Sequence, residues 1–416
     1  MHRLLTPLVL IFAASVASVA SAQLTPMTRT QALQTALDRG ARLTVAQADT
    51  AVAAAQVIAA RVRPNPSFSA SYSKSVPNYH YTFDIPFDFP TLRQLRIRAA
   101  QTGLEAANLR YTLARATIAL DADTTYTRAV AARERLALSR RTALGADSLR
   151  RMVERRRDAG DASDMDVELA RVTAGQAANA AAGDSLEVVS ALLDLQAVLG
   201  MKSERVELAA TDSLIAPPDG ESPPSVTLGE AAASLSLESA SLSARLQHRS
   251  IWTTPSLSLG FEHGDPDQRG ILPTFGLGIS LPLFDRNRGG VAQAEAERAR
   301  AAAELTLAQV EARNQIAHAT RERENALARV ERDRQVVTSA NRVAAMSLTA
   351  YREGAASLAN VIEAVRSSRE VLAQYITDLA AAWIATAELR ALSVAPAGGT
   401  PNTTRNQGTE MPGKIR

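Results

Sequence analysis

The sequence predicts a mainly α-helical fold with a small β part, built as two copies of one unit. Three observations carry this. Two very long segments, Leu92 to Asp158 and Asn287 to Glu353, contain no proline. A turn-like motif, G-x-x-S-x-x-[D/N]-V-x-x-A, follows each of them, at Gly160 to Ala170 and again at Gly354 to Ala364. A pair of short segments with alternating hydrophobicity precedes each of them.

The long segments set the scale. At about 1.5 Å per residue each would span about 100 Å as an unbroken helix. That length exceeds a globular helix and points to coiled packing. In the second segment a seam runs through Leu305, Ala312, Ile316, Ala319, Ala326, Val330, Val337, Ala340, Ala344, Leu348 and Tyr351. Its spacings are threes, fours and sevens. Many seam residues are alanine, which lets helices approach closely. Composition agrees: aromatics are only 4% of the chain, against abundant Ala, Arg, Glu and Gln.

The alternating segments predict strands. Phe68, Ala70 and Tyr72 alternate with serines, and Tyr79, Tyr81, Phe83, Ile85, Phe87 and Phe89 alternate with mostly polar residues. In the second half Leu257, Leu259 and Phe261, then Phe275, Leu277, Ile279 and Leu281, alternate with Ser, Thr and Gly. A period of two puts apolar side chains on one face and small polar ones on the other. With four strands in a chain of helices, no second sheet is available to cover the apolar face. A transmembrane barrel, apolar side to lipid and polar side to a wet lumen, suits this pattern. Small closed barrels need about eight strands, so several chains must share one barrel. Two amphipathic hairpins packed on helices are the alternative.

The remaining elements follow in order. Residues 1–22 read as a secretory signal peptide: Arg3, an apolar run from Leu4 to Val19, and the cleavage site Ala20-Ser21-Ala22. No later stretch reads as eighteen or more consecutive apolar residues, which argues against transmembrane helices. The first unit is expected over 23–216. It holds an opening helix Thr28 to Ala60, strands about 66–73 and 79–89, and long helices about 92–158 and 163–199. A Pro-rich linker, 217–225, joins it to the second unit, 226–394. That unit has an opening helix Val226 to Arg249, strands about 255–263 and 273–283, and long helices about 287–353 and 357–392. A disordered tail, 395–416, closes the chain.

Several functions are excluded. There is no cysteine, hence no disulfide, thiolate metal site or lipidated cysteine. The net charge of +3 is mixed along the chain and gives no nucleic-acid footprint. The histidines are His2, His80, His248, His263 and His318, and none pair at metal-ligand spacing, so no metal or cofactor is assigned. His80 and His263 are expected at or near strand loops. No H-E-x-x-H, phosphate-binding glycine loop or G-x-S-x-G is present, and no catalytic residue is assigned.

The two motif copies sit where one long helix ends and the next begins. Gly160 and Gly354 suit the helix C′ position, which favours positive φ. Ser163 and Ser357 suit the N-cap of the following helix.

The chain resembles the TolC-type outer-membrane efflux proteins, and within them the heavy-metal-efflux branch typified by CzcC. The residues that carry the resemblance are Arg63-Pro64-Asn65-Pro66 before the first strand, Ser280-Leu281-Pro282-Leu283-Phe284-Asp285-Arg286-Asn287-Arg288-Gly289 before the second long helix, and the paired turn motifs. The corresponding Ile85-Pro86-Phe87-Asp88-Phe89-Pro90 of the first half departs from this pattern. The resemblance implies a homotrimer in the outer membrane of a Gram-negative-type envelope. Each protomer would lend four strands to a shared 12-stranded barrel and its helices to a periplasmic tunnel. It implies docking to a periplasmic membrane-fusion adaptor and an inner-membrane pump of the RND or ABC type, and passive export of metal cations or small toxic molecules. It further implies an adaptor-docking tip at Gly160, Ser163, Val167, Gly354, Ser357 and Val361. A tunnel entrance would lie at Asp166, Asn360 and Glu363, with Tyr351 and Arg352 latching neighbouring helices. A periplasmic adaptor or a structural envelope coiled coil are the alternatives; the first normally has one hairpin, and the second needs no alternating strands.

Overall fold

The structure, a computed structural model, describes residues 24–396 apart from 203, 219–225, 251–254, 269 and 280. The expected signal peptide, most of the Pro-rich linker and the tail beyond 396 lie outside the described residues.

Two helices form the long axis: α3 (Pro90–Asp158, 69 residues) and α6 (Arg288–Arg352, 65 residues). Pro90 starts α3 because its fixed φ is compatible with a first helical turn and its missing N–H is not needed there. α1 (Arg29–Arg39) and α2 (Ala41–Arg61) lie beside the first part of α3, and α4 (Asp164–Val198) beside the rest. α5 (Leu228–Arg249) and α7 (Leu358–Leu392) flank α6 in the same way, and both also touch α3. The seam holds: Ala312, Ala319, Ala326, Val330 and Tyr351 are buried and the other seam residues half-buried.

The opening segment is not one helix. Gly40 (φ −62°, ψ 115°) ends α1 and starts α2. The end of α4 abuts this break so closely that a Cβ on Gly200 would stand 2.9 Å from the Arg39 carbonyl oxygen. Two strands also escaped the periodicity argument. β1 (Thr25–Met27) pairs in parallel with β4 (Leu208–Ala210). Three residues each are too few for an alternation to register. They cap an apolar core of Ala32, Ala36, Ile118, Leu192, Leu195 and Leu199, among others, at mid-length on α3.

Beside this core lies a buried polar node. Asp123, 2% exposed, ion-pairs with Arg29 of α1 and, at 3.3 Å, with Arg390 of α7. Arg29 also donates to Thr127 Oγ1 at 2.9 Å, and its guanidinium stacks 3.9 Å from the Trp383 ring centroid. The Tyr126 hydroxyl donates to the Met27 carbonyl at 2.9 Å. One carboxylate therefore ties both halves of the chain together.

The remaining strands, β2 (Ser67–Tyr72), β3 (Tyr79–Pro86), β5 (Ser256–His263) and β6 (Leu272–Gly278), form one antiparallel sheet in the order β2-β3-β5-β6. The register puts Phe68 opposite Phe83, Tyr81 opposite Phe261, and Leu259 opposite Phe275. The alternating apolar positions thus share one face, with Leu272, opposite Glu262, on the other. That face is uncovered: Phe275 is 80% exposed, Leu277 69% and Phe68 62%. Leaving such side chains in water forgoes about 1.5–3 kcal/mol each. The opposite face carries Ser67, Asp84, Ser258 and Gly276 side by side.

Three details depart from expectation. β3 stops at Pro86 and β6 at Gly278, so Phe89, Ile279 and Leu281 lie beyond the ladder, while the Phe87 N–H still donates to the Pro255 carbonyl at 2.7 Å. Pro86 and Pro282 lack the N–H that pairing would use. His80 sits within β3, where its ring reaches Glu262 at 3.0 Å across the strand pair, and His263 ends β5. Finally, Arg42–Arg61 of α2 is long and apolar enough to cross a membrane, with mean hydropathy 1.3. It is not an uninterrupted apolar run: Thr44, Gln47, Asp49, Thr50 and Gln56 break it. Its apolarity comes largely from alanine, and it packs along α3.

Replacing Asp123 by alanine leaves Arg29 buried without its partner. The expected loss is about 3–5 kcal/mol in a thermal or denaturant melt followed by circular dichroism. Arg390→Ala, at a half-exposed side chain, should cost about 1 kcal/mol or less.

Candidate functional site at the helical tip

Both long helices reverse direction at the same end of the molecule. α3 ends at Ala159, and Gly160 follows with φ +86°. The N–H of Asp161 donates to the Arg156 carbonyl at 2.7 Å and that of Gly160 to Arg157 at 2.8 Å. This double reach-back is a Schellman turn. α6 ends the same way: Gly354 has φ +76°, Ala355 donates to Ala350 at 2.8 Å, and Gly354 donates to Tyr351 at 3.1 Å. A left-handed residue is obligatory at both positions. Nothing lies within 4 Å of a Cβ built on either glycine. Torsion, not space, demands glycine here.

The return helices are capped at once. Ser163 Oγ accepts from the Asp166 N–H at 3.1 Å, and Asp166 Oδ2 accepts from the Ser163 N–H at 3.1 Å. The pair forms a capping box. Ser357 Oγ accepts from the Asn360 N–H at 3.4 Å, with no acid at that position to return the bond.

Behind the turns the two hairpins share a core: Leu149, Val153, Val167, Ala170, Tyr351, Leu358 and Val361. Val167 and Val361 are 2% and 0% exposed. Their side chains offer no docking surface in this protomer and instead hold the two turns level. The exposed tip is made by Gly160, Ser163, Gly354 and Ser357, with Met165 76% exposed between them.

Arg156 clasps the two hairpins. Its Nη1 donates to the Tyr351 carbonyl at 2.6 Å, and its guanidinium lies 4.9 Å from the Tyr351 ring centroid. Burial raises the Tyr351 phenol above its ordinary pKa; Arg156 pulls it down and Asp166 pushes it up. Sequence reasoning assigned Tyr351 but missed Arg156. The only trace in the sequence is a run of three arginines, 155–157, ahead of the glycine.

The three entrance candidates are not equivalent. Asp166 is engaged in its cap. Glu363 is held by two hydrogen bonds from Arg366, at 2.7 and 3.0 Å, and these pull its carboxyl below the usual range. Arg366 also reaches Glu370 at 2.9 Å. Asn360 is exposed and carries no charge. The charge of Glu363 is thus partly neutralised within the protomer, by an arginine three residues away.

The sequence profile of the family described as outer membrane efflux protein matches residues 32–201 and 231–393. No curated protein sequence matches. Among solved structures the chain is similar to VceC from Vibrio cholerae, with 19% identity, a TM-score of 0.71, and 88% of this chain and 96% of that one covered. It is similar to the CmeC outer membrane channel of Campylobacter jejuni, with 17% identity, a TM-score of 0.74 and 88% and 85% covered. It is also similar to the open state of the MtrE outer membrane channel of Neisseria gonorrhoeae, with 17% identity, a TM-score of 0.71 and 88% of each chain covered.

Gly160→Val and Gly354→Val should each destabilise the tip by about 1–2 kcal/mol, while Gly→Asn at the same sites costs less. Hydrogen exchange at the turn amides reads this; equal protection in the Val and Asn variants would contradict the torsional account. Arg156→Ala should speed exchange at both turns together, because one side chain bridges both hairpins.

Proposed function

The chain belongs to the outer membrane efflux protein family, and from that membership we propose that it is the outer-membrane channel of a tripartite efflux system. It acts as a passive duct that catalyses no covalent step. The observation that carries this reading is the four-stranded sheet, with an uncovered apolar face and two unpaired edges, set at one end of helices about 100 Å long. Such a sheet is stable in lipid once its edges are paired. Pairing with two further copies gives a homotrimer with a barrel of twelve strands, four from each protomer. The helical part then hangs into the periplasm, with the tip furthest from the membrane.

The division into two repeats, 23–216 and 226–394, gives each protomer two tips, so a trimer presents six. Gly160, Ser163, Gly354 and Ser357 shape the surface that meets a periplasmic adaptor, and Val167 and Val361 set its form from inside. The adaptor connects to an inner-membrane pump, which selects the cargo. The resemblance to the heavy-metal branch supports metal cations as cargo, with small toxic molecules as the second class.

At the entrance, Asp166 and Glu363 become rings of three by symmetry. A ring of carboxylates attracts cations. The Arg366 contact supports a ring whose charge is damped at Glu363.

Outer-membrane fractionation with an unboiled and boiled gel tests the channel reading: a heat-sensitive oligomer in the outer membrane is expected, and a periplasmic monomer would overturn it. Single-channel recording tests the entrance. Arg366→Gln, which uncovers Glu363, should raise cation selectivity, and Glu363→Gln should lower it. Identical currents in both variants would remove Glu363 from the entrance.

A further inference from the structure

Along α6, far from the tip, His318 and Glu322 stand one helical turn apart, and Glu388 of α7 faces them, half-buried. One donor atom from each, an imidazole nitrogen and two carboxylate oxygens, can be chosen so that all three lie within 4.8 Å of one another. The His318 Nε2 to Glu322 Oε1 separation is 3.4 Å. Two ligands held about 2.1 Å from a tetrahedral zinc stand about 3.4 Å apart, so this pair already spans one edge of a coordination tetrahedron. The side chains of His318 and Glu322 are 70% and 52% exposed, which leaves them room to rotate toward Glu388.

The surroundings favour a cation. A cavity of about 550 Å³ opens beside the group, walled by Leu113, Ala116 and Leu120 of α3 and by Leu228 of α5, with His318 and Glu388 in its lining. Those apolar walls and the neighbouring Glu322 push the Glu388 carboxyl above the usual range, and His318 only partly offsets them. Elsewhere on these helices acids are met by arginines, as Glu363 is by Arg366, Asp378 by Arg329 and Glu304 by Arg300. Here the half-buried acid is faced by a histidine and a second carboxylate. A divalent ion between two carboxylates supplies the missing positive charge.

We propose that His318, Glu322 and Glu388 form a binding site for a divalent cation of the Zn²⁺ class, bridging α6 and α7. One nitrogen and two oxygen donors suit Zn²⁺ better than Ca²⁺ or Mg²⁺, which take oxygen ligands in larger number. The fourth position faces the cavity and is open to water. No sequence spacing reveals the site, because its third ligand comes from another helix. Bound metal adds a further clamp between α6 and α7, beside the Arg323 to Thr386 contact at 3.3 Å.

The test uses the full-length chain in detergent, titrated with Zn²⁺ alone by calorimetry at neutral pH. His318→Ala and Glu388→Gln should each remove one bound Zn²⁺ per chain, or weaken that ion more than about tenfold. Zn²⁺ should raise the thermal midpoint of the native chain and not of either variant, while Ca²⁺ raises neither. Both substitutions lie at exposed or half-exposed positions; if one of them fails to fold, His318→Gln repeats the measurement. Equal stoichiometry and affinity in native and variant chains would overturn the site, as would absence of Zn²⁺ binding at micromolar concentration. Binding is read without transport, so the outcome is independent of the efflux reading.

Discussion

The fold depends on fixing the register of helices that could otherwise slide. The buried positions of α3 and α6 are dominated by alanine. An alanine seam packs closely, but each turn of it resembles the next, and a shift along the axis costs little in shape. Buried polar contacts remove that freedom, because a displaced charge loses its partner and stays desolvated. Asp123 is the principal one. It meets Arg29 and Arg390, and so fixes α1 and α7 against α3 at one level. Arg329 with Asp378, at 2.7 Å, and Ser368 with Asn341, at 2.9 Å, lock α6 to α7 further out. Arg156 does the same at the tip through the Tyr351 carbonyl.

From this fixed middle the two ends solve opposite problems. The sheet leaves its apolar face exposed and gathers Ser67, Asp84 and Ser258 on the other. The tip instead hides its apolar groups and spends its polar ones on caps, so its outer surface is backbone, small side chains and charge. Met165 and Leu169 are large apolar groups left on the outside. Asp166 shows how local and assembly roles compete. As a carboxylate that returns a capping-box bond to Ser163 it holds its helix start, and any role toward ions at a proposed entrance has to be met from that position.

Much of this was legible in the sequence, for identifiable reasons. Long proline-free helices, alternating strands and glycine-serine turns each follow from short-range rules, and the seam from Leu305 to Tyr351 needed only periodicity. Elements too short for a pattern to register were not legible: β1 and β4, three residues each, and the break at Gly40. Neither were pairings between distant segments. Arg156 with Tyr351, Asp123 with Arg29, and His80 with Glu262 join residues far apart in the chain, and nothing local marks them. The Arg366 clasp on Glu363 was readable at three-residue spacing, and it sets how much charge Glu363 can present.

The shared core behind the two turns makes helix length a collective property. Val167 and Val361 come from different hairpins but occupy one cluster, so the two tips must end at the same height. Adding a heptad to α3 alone would lift one tip by about 10 Å and pull it off its neighbour. Growth or shortening must therefore occur in α3, α4, α6 and α7 together, and in steps that keep the seam in phase. Between Asp123 and the turns, reach is quantised, and a lineage of such proteins can change it only by coordinated insertions.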